Sequence, residues 1–183
     1  MQKEKKEISL PEGNFETEIV EFNEDDKKTL RLIYRSWREL SKLTTSLGGR
    51  SINLPEILSE GLFCLEMNSV RISKSIKGAN SSFDAFDLNR NKRIQVKAAS
   101  VLPDLTSFGP KSVWDELYFM NFSKLDGTFE IYLIPSESIY SFKVNESQTV
   151  KDQQNQGRRP RFSIYKEIIL KEKIEPIKVG NIN

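Results

Sequence analysis

The chain has 183 residues, 37% hydrophobic and 30% charged, with a formal net charge of +2, which suits one globular domain with a sizeable core. It holds no histidine and a single cysteine, Cys64, which excludes imidazole general bases, Ser-His-Asp and Cys-His nucleophile systems, histidine-bound metals, internal disulfides and structural zinc clusters. There is no Gly-rich phosphate loop, no apolar run near the roughly 20 residues of a membrane helix and no apolar signal core in the charged start MQKEKKEISLPEG, so a cytoplasmic location is expected.

Residues 1–24 are acidic and weakly patterned and read as an arm or tail, with residues 25–183 as the single folded domain. Residues 1–30 carry five Lys against nine Asp or Glu, whereas residues 151–173 carry seven Lys or Arg against three acids. The near-neutral total thus hides a basic region suited to a polyanion. Asp25-Asp26 cap a helix predicted from Lys27 to Leu47. Its stripe of Leu30, Ile33, Tyr34, Trp37, Leu40 and Leu47 is expected in the core or at a dimer contact, with Arg31, Arg35, Arg38 and Lys42 on other faces. After Gly48-Gly49-Arg50-Ser51, a second helix opens at Asn53-Leu54-Pro55 and runs to Met67. Glu56 and Glu60 share one of its faces. The macrodipole accounts for Glu56 in the first turn; Glu60, deeper in an apolar helix, is the better candidate for function.

Val70–Ser73 reads as a strand, Lys74–Asn80 as a loop, and SSFDAFDLNRNKRIQVKAAS (81–100) as a β-hairpin turning at Asn89-Arg90-Asn91. With Asn89–Lys92 as the loop, Leu88 faces Arg93, Phe86 faces Gln95 and Asp84 faces Lys97. One face then gathers Asp84, Gln95 and Lys97, while Phe83, Ala85, Ile94, Val96 and Ala98 form the buried face. A slip of one residue would substitute Asp87 for Asp84. Trp114–Phe122 and Thr128–Ile134 are strands joined at Lys124–Gly127; Ile139–Val144 is a short strand or part of a helix, and the polar Asn145–Gly157 is a loop. Gly157-Arg158-Arg159-Pro160-Arg161-Phe162 is a basic segment that Pro160 holds extended. Strand-like and irregular residues complete the chain. The whole reads as a mixed α/β (α+β) core with helices over a central sheet and the hairpin at its middle.

A carboxylate, an amide and an ammonium on one face of an apolar hairpin suit a metal-dependent phosphodiesterase. Water must be deprotonated and the phosphorane charge neutralised, which Mg²⁺ in hard oxygen ligands achieves. Asp84 is the principal ligand, with the Val96 carbonyl beside it, Gln95 as a neutral donor and Glu60 reaching the metal or its waters. Lys97, about 6–7 Å along the strand from Gln95, orients the water and counters developing charge. Arg158, Arg159 and Arg161 suit phosphates or guanine edges, with Lys111 and Ser107 as weaker DNA-contact candidates. Asp115 and Glu116 read as structural acids.

Asp84, Gln95-Val96-Lys97 and the preceding Glu-bearing helix resemble the PD-(D/E)XK nuclease motif. The runs NLPEILSEGLFCLEMNSVRI, SSFDAFDLNRNKRIQVKAAS, SFGPKSVWDELYFMNF and QGRRPRFSI resemble small, homodimeric type II restriction endonucleases over about Arg50 to Ile164. The resemblance implies Mg²⁺-dependent cleavage of double-stranded DNA at a short palindromic site, and a methyltransferase as functional partner. Gln95 stands where the superfamily usually has an acid. At ~4 Å and an effective dielectric of ~20, the missing charge forfeits up to about 8 kcal/mol of bare attraction for a divalent ion. The alternatives are an inactive copy, a junction-resolving or mismatch-repair nuclease on the same core, and a non-catalytic DNA-binding relative.

Overall fold

The computed structural model describes residues 1–74, 76–79 and 82–183. Ser75 and Asn80 of the expected Lys74–Asn80 loop, and Ser81 at the head of the hairpin stretch, lie outside the described residues. An eight-stranded mixed sheet runs in the order β1 (Gln2–Leu10), β2 (Gly13–Glu21), β3 (Val70–Ile72), β4 (Ala85–Asp87), β5 (Lys92–Ala99), β7 (Glu116–Asn121), β8 (Thr128–Ile134), β10 (Lys178–Asn181). A separate two-stranded piece joins β6 (Thr106–Ser107) to β9 (Arg161–Phe162). Only the β5–β7 pair is parallel; the other pairs in the two sheets are antiparallel. No helix among the described residues is long and apolar enough to cross a membrane.

The N-terminal residues are not a loose arm. Leu10 pairs with Gly13 across Pro11-Glu12, and β2 joins β3. Ile8, Leu10 and Ile19 turn inward to pack with Val70, Ile72, Ile76, Phe83 and Phe86. The outward residues of the edge strand are mostly Lys and Glu, which discourage pairing with a further strand.

Helix α1 spans Glu24–Ser46 and α2 spans Glu56–Met67. The α1 cap is Asn23, not Asp25-Asp26. Its side chain accepts from the amides of Asp25 and Asp26, and Asp26 returns a bond from the Asn23 amide. That reciprocal box satisfies donors otherwise orphaned at the first turn. Leu30, Tyr34 and Trp37 of α1, with Leu58, Leu62 and Phe63 of α2, bury against Ala85, Ile94, Val96, Tyr118 and Met120. A second core holds Phe108, Trp114, Leu117, Phe119, Tyr132, Phe162 and Ile168. Burying a Leu or Phe contributes about 1.5–3 kcal/mol each before conformational entropy is counted.

The part-helix alternative for Ile139–Val144 is the one realised, and two further expectations are corrected. Ile139–Val144 contributes its first two residues to helix α3 (Ser136–Tyr140), and the polar Asn145–Gly157 stretch contains helix α4 (Val150–Asn155), capped by Thr149. Beyond β9 the expected strand-like and irregular stretch begins as helix: a π-helical turn over Tyr165–Ile169 leads into α5 (Leu170–Glu172) before the strand β10. The buried Asp104 organises that turn, accepting from Ser163 Oγ at 2.6 Å and from the Ile164 and Tyr165 amides at 3.0 Å each. A carboxylate from 60 residues upstream in the chain thus supplies what the local sequence lacks.

Candidate active site

The site lies where the central hairpin forks. Asp87 Oδ1 accepts from the Asn89 and Arg90 amides, and Asn91 adopts φ +55°, closing a loop over Leu88–Asn91. Asp87 therefore faces Lys92, and Phe86 faces Arg93 instead of the expected Gln95. The register differs from expectation by two residues. Because side chains alternate with period two, that shift keeps the paired residues on their expected faces, although Phe83, ahead of the paired stretch, packs with Phe86 and not with Ala85, Ile94 and Val96. β4 pairs only over Ala85–Asp87, whereas β5 continues to Ala99 along β7. At the fork the Asp84 side chain replaces the missing strand: its Oδ2 accepts from the Val96 amide at 2.8 Å and from Gln95 Nε2. The carbonyl of Val96 points the same way as its N–H.

Helix α2 closes the cleft. Leu54, Glu56, Ser59, Glu60, Asp84, Gln95, Val96, Lys97 and Ala98 line a volume of about 170 Å³. Asp84, Gln95, Lys97, Glu60 and Val96 are thus brought together. Asp87 is not among them; it holds the hairpin loop and pairs with Arg90 at 2.6 Å. Asp115 and Glu116 pair with Arg93 and Arg90, away from the cleft lining.

The electrostatics are those of a partly buried anionic site. Burial, reinforced by the Asp84 charge, pushes the Glu60 carboxyl up to about 7. Burial also raises Asp84, against the pull of the Val96 amide and the Lys97 ammonium. Lys97 is lowered by burial, with Asp84 opposing and Arg159 reinforcing that shift. The sequence reading missed Arg71. On β3, opposite Ala85, it places Nε 2.5 Å from Glu60 Oε2 and also draws down the Asp84 carboxyl. No local pattern links residues 60 and 71; the packing of α2 on the following strand β3 brings them together. Among the described residues no three Asp, Glu, His or Cys side chains form a ready metal cage. The available donors are two carboxylates, an amide and a backbone carbonyl, all oxygen-bearing and hard, and the raised carboxyls are what a divalent cation would relieve.

The two DNA-contact candidate sets also meet. Ser107 pairs with Arg161 across β6–β9, and the Phe108 amide donates to the Pro160 carbonyl at 3.1 Å. Arg158, Arg159, Arg161 and Lys111 are exposed. Arg159 lies close enough to bear on Lys97 electrostatically.

A mixed sheet flanked by helices, with an Asp-Gln-Lys cluster at the fork of its central hairpin, is compatible with a nuclease-like core. Comparison with known proteins is more specific. A profile of the Bsp6I restriction endonuclease family matches residues 22–171. The type II restriction enzyme Bsp6I of Bacillus sp. (strain RFL6) is 40% identical over 147 residues, covering 79% of this chain and 81% of that protein. No solved structure matches. The chain belongs to the Bsp6I restriction endonuclease family and is accordingly a type II, site-specific deoxyribonuclease.

Proposed function

We propose that this enzyme hydrolyses both strands of DNA at a short palindromic site with Mg²⁺, through a PD-(D/E)XK-type centre of Asp84, Gln95, Lys97 and Glu60. The observation that carries the reading is the convergence of these four side chains on one cleft. When bound, Mg²⁺ supplies Lewis acidity toward the phosphate and lowers the pKa of water. Asp84 is the principal anionic ligand, oriented by the Val96 amide. Glu60 provides the second charge that Gln95 lacks, and a turn of the Gln95 amide presents Oε1 as a neutral donor. The Val96 carbonyl completes the protein donors. Lys97 orients the attacking water and offsets charge building on the phosphate, and its lowered pKa suits a group that handles a proton.

Arg158, Arg159, Arg161, Lys111 and Ser107 hold the duplex across the cleft mouth, by phosphates and base edges. A homodimer gives each strand its own centre. The functional partner is a methyltransferase protecting the same site, and the expected setting is the cytoplasm.

The test is incubation of purified protein with unmethylated phage DNA in Mg²⁺ or EDTA. Discrete fragments with Mg²⁺ alone are expected, and Asp84→Ala or Lys97→Ala should lower the rate by about 10²-fold or more. Cleavage in EDTA, or undiminished cleavage by either variant, refutes the assignment.

A further inference from the structure

A second hollow, a trough of about 320 Å³, opens beside the catalytic cleft between the loop ahead of α2 and the loop that leaves β5. Leu54 and Ala98 line both, so the two adjoin. Thr106 also lines the trough and pairs with Phe162, next to Arg161, so the trough connects the cleft with the basic segment. Ser51, Asn53 and Ser100 bring it short polar side chains that have no hydrogen-bond partner among the described residues. Val101 and Leu105 beside them are 64% and 72% exposed. Among the described residues of the lining, Asp104 alone is ionisable, and it is buried. Its two oxygens are taken up by Thr106, Ser163 and the Ile164 and Tyr165 amides. Both walls are held in place. Trp37 Nε1 donates to the Ile52 carbonyl at 2.9 Å on one side, and Asp104 anchors the loop on the other.

We infer that this trough is a base-reading subsite, in which Asn53, Ser51 and Ser100 contact base edges next to the cut and set the enzyme's sequence choice. This rests on the DNA-cleaving centre proposed above and names residues for its specificity. The chemistry of the lining favours bases over backbone. Phosphates are held by cations, and the trough has none; Arg158, Arg159 and Arg161 serve that role from the neighbouring segment. Sequence is read by matched neutral donors and acceptors, which phosphate contacts do not supply. An Asn amide donates and accepts at once, and a Ser hydroxyl does either, so both suit base edges. Val101 and Leu105 add apolar contact to base or sugar that excludes water from those pairings. Walls fixed before DNA arrives keep the reading groups from adapting to a wrong sequence.

The test compares binding to two duplexes of equal length, one carrying the site read from the fragment ends and one with that site scrambled. Ca²⁺ serves as the hard cation, and every protein carries Lys97→Ala so that the DNA stays intact. Asn53→Ala should reduce the preference for the site duplex by about tenfold. The slope of log affinity against log salt should stay unchanged, because no phosphate contact is lost. Ser100→Ala should shift the preference in the same direction. Hydrogen exchange of the protein with its trough unmodified removes reliance on those variants. Added protection over residues 51–54 and 100–106 with the site duplex, and not with the scrambled one, supports the inference. Equal protection by both duplexes, or Asn53→Ala weakening both equally with a smaller salt slope, overturns it. A preference that survives both substitutions overturns the inference alone. Protein that prefers neither duplex before Asn53 or Ser100 is changed overturns it together with the site-specific reading on which it rests.

Discussion

Glu60 is the most informative single residue. Its carboxyl is pushed from the usual range near 4.5 up to about 7. Between those pH values the folded protein holds a proton that the unfolded chain has released, so stability falls as pH rises through the window. The full penalty is present above about pH 7. Urea denaturation in EDTA should show about 1–3 kcal/mol lost across that range, and Glu60→Gln should flatten the slope. Asp84 is raised in the same direction, so part of the slope should survive the substitution. A wild-type slope of zero would mean that Arg71 neutralises Glu60 more completely than its burial suggests. Glu60 was legible in the sequence as an acid inside an apolar helix. Arg71 was not, because its role depends on how α2 packs back on β3.

At the scale of elements, the β6–β9 piece unites residues separated by more than 50 positions and depends on Asp104. That carboxylate also accepts from Thr106 Oγ1 at 2.6 Å, so it ties the β6 strand to the turn after β9. Asp104→Ala should cost about 2–4 kcal/mol by leaving several buried donors unmatched, read as a lower urea midpoint, and should weaken DNA binding by loosening the Arg158–Arg161 segment. Arg159→Ala and Arg161→Ala should each reduce DNA affinity and lower the slope of log affinity against log salt by about one. A slope unchanged in both would show that the basic segment does not touch phosphate. The N-terminal hairpin is the element least anticipated. Its alternation, Ile8-x-Leu10 and Phe15-x-Thr17-x-Ile19 around Pro11-Glu12, is present but diluted by charged residues suited to an edge strand. The helices near the C-terminus are short and owe their form to Asp104 and packing, which no local pattern announces.

For the whole molecule, the proposed two-fold arrangement, with one cleft per chain, predicts how mixed dimers behave. Co-expressed wild-type and Asp84→Ala chains should yield heterodimers that cut one strand, seen as open-circular plasmid accumulating before linear product. Linear product appearing at the wild-type rate from purified heterodimers would argue that a single centre serves both strands. The sequence placed the α1 stripe at core or dimer spacing; the fold buries Leu30, Tyr34 and Trp37, packs Ile33 against them and leaves Leu40 and Leu47 exposed.

The sequence by itself determined the chemistry available and the candidate residues for it. The absence of histidine, the clustering of Asp84, Gln95 and Lys97 on one hairpin face, and the acidic interruption at Glu60 all follow from composition and from period-two or period-3.6 spacing. These are local properties, and a two-residue error in register leaves the hairpin face intact. Tertiary structure alone decided which strand abandons β5 to open the fork, that Arg71 meets Glu60, and that Ser107 meets Arg161. Each of those contacts joins different elements of the chain. Their free energy arises only once the cores on the two faces of the sheet have paid the entropy of bringing them together.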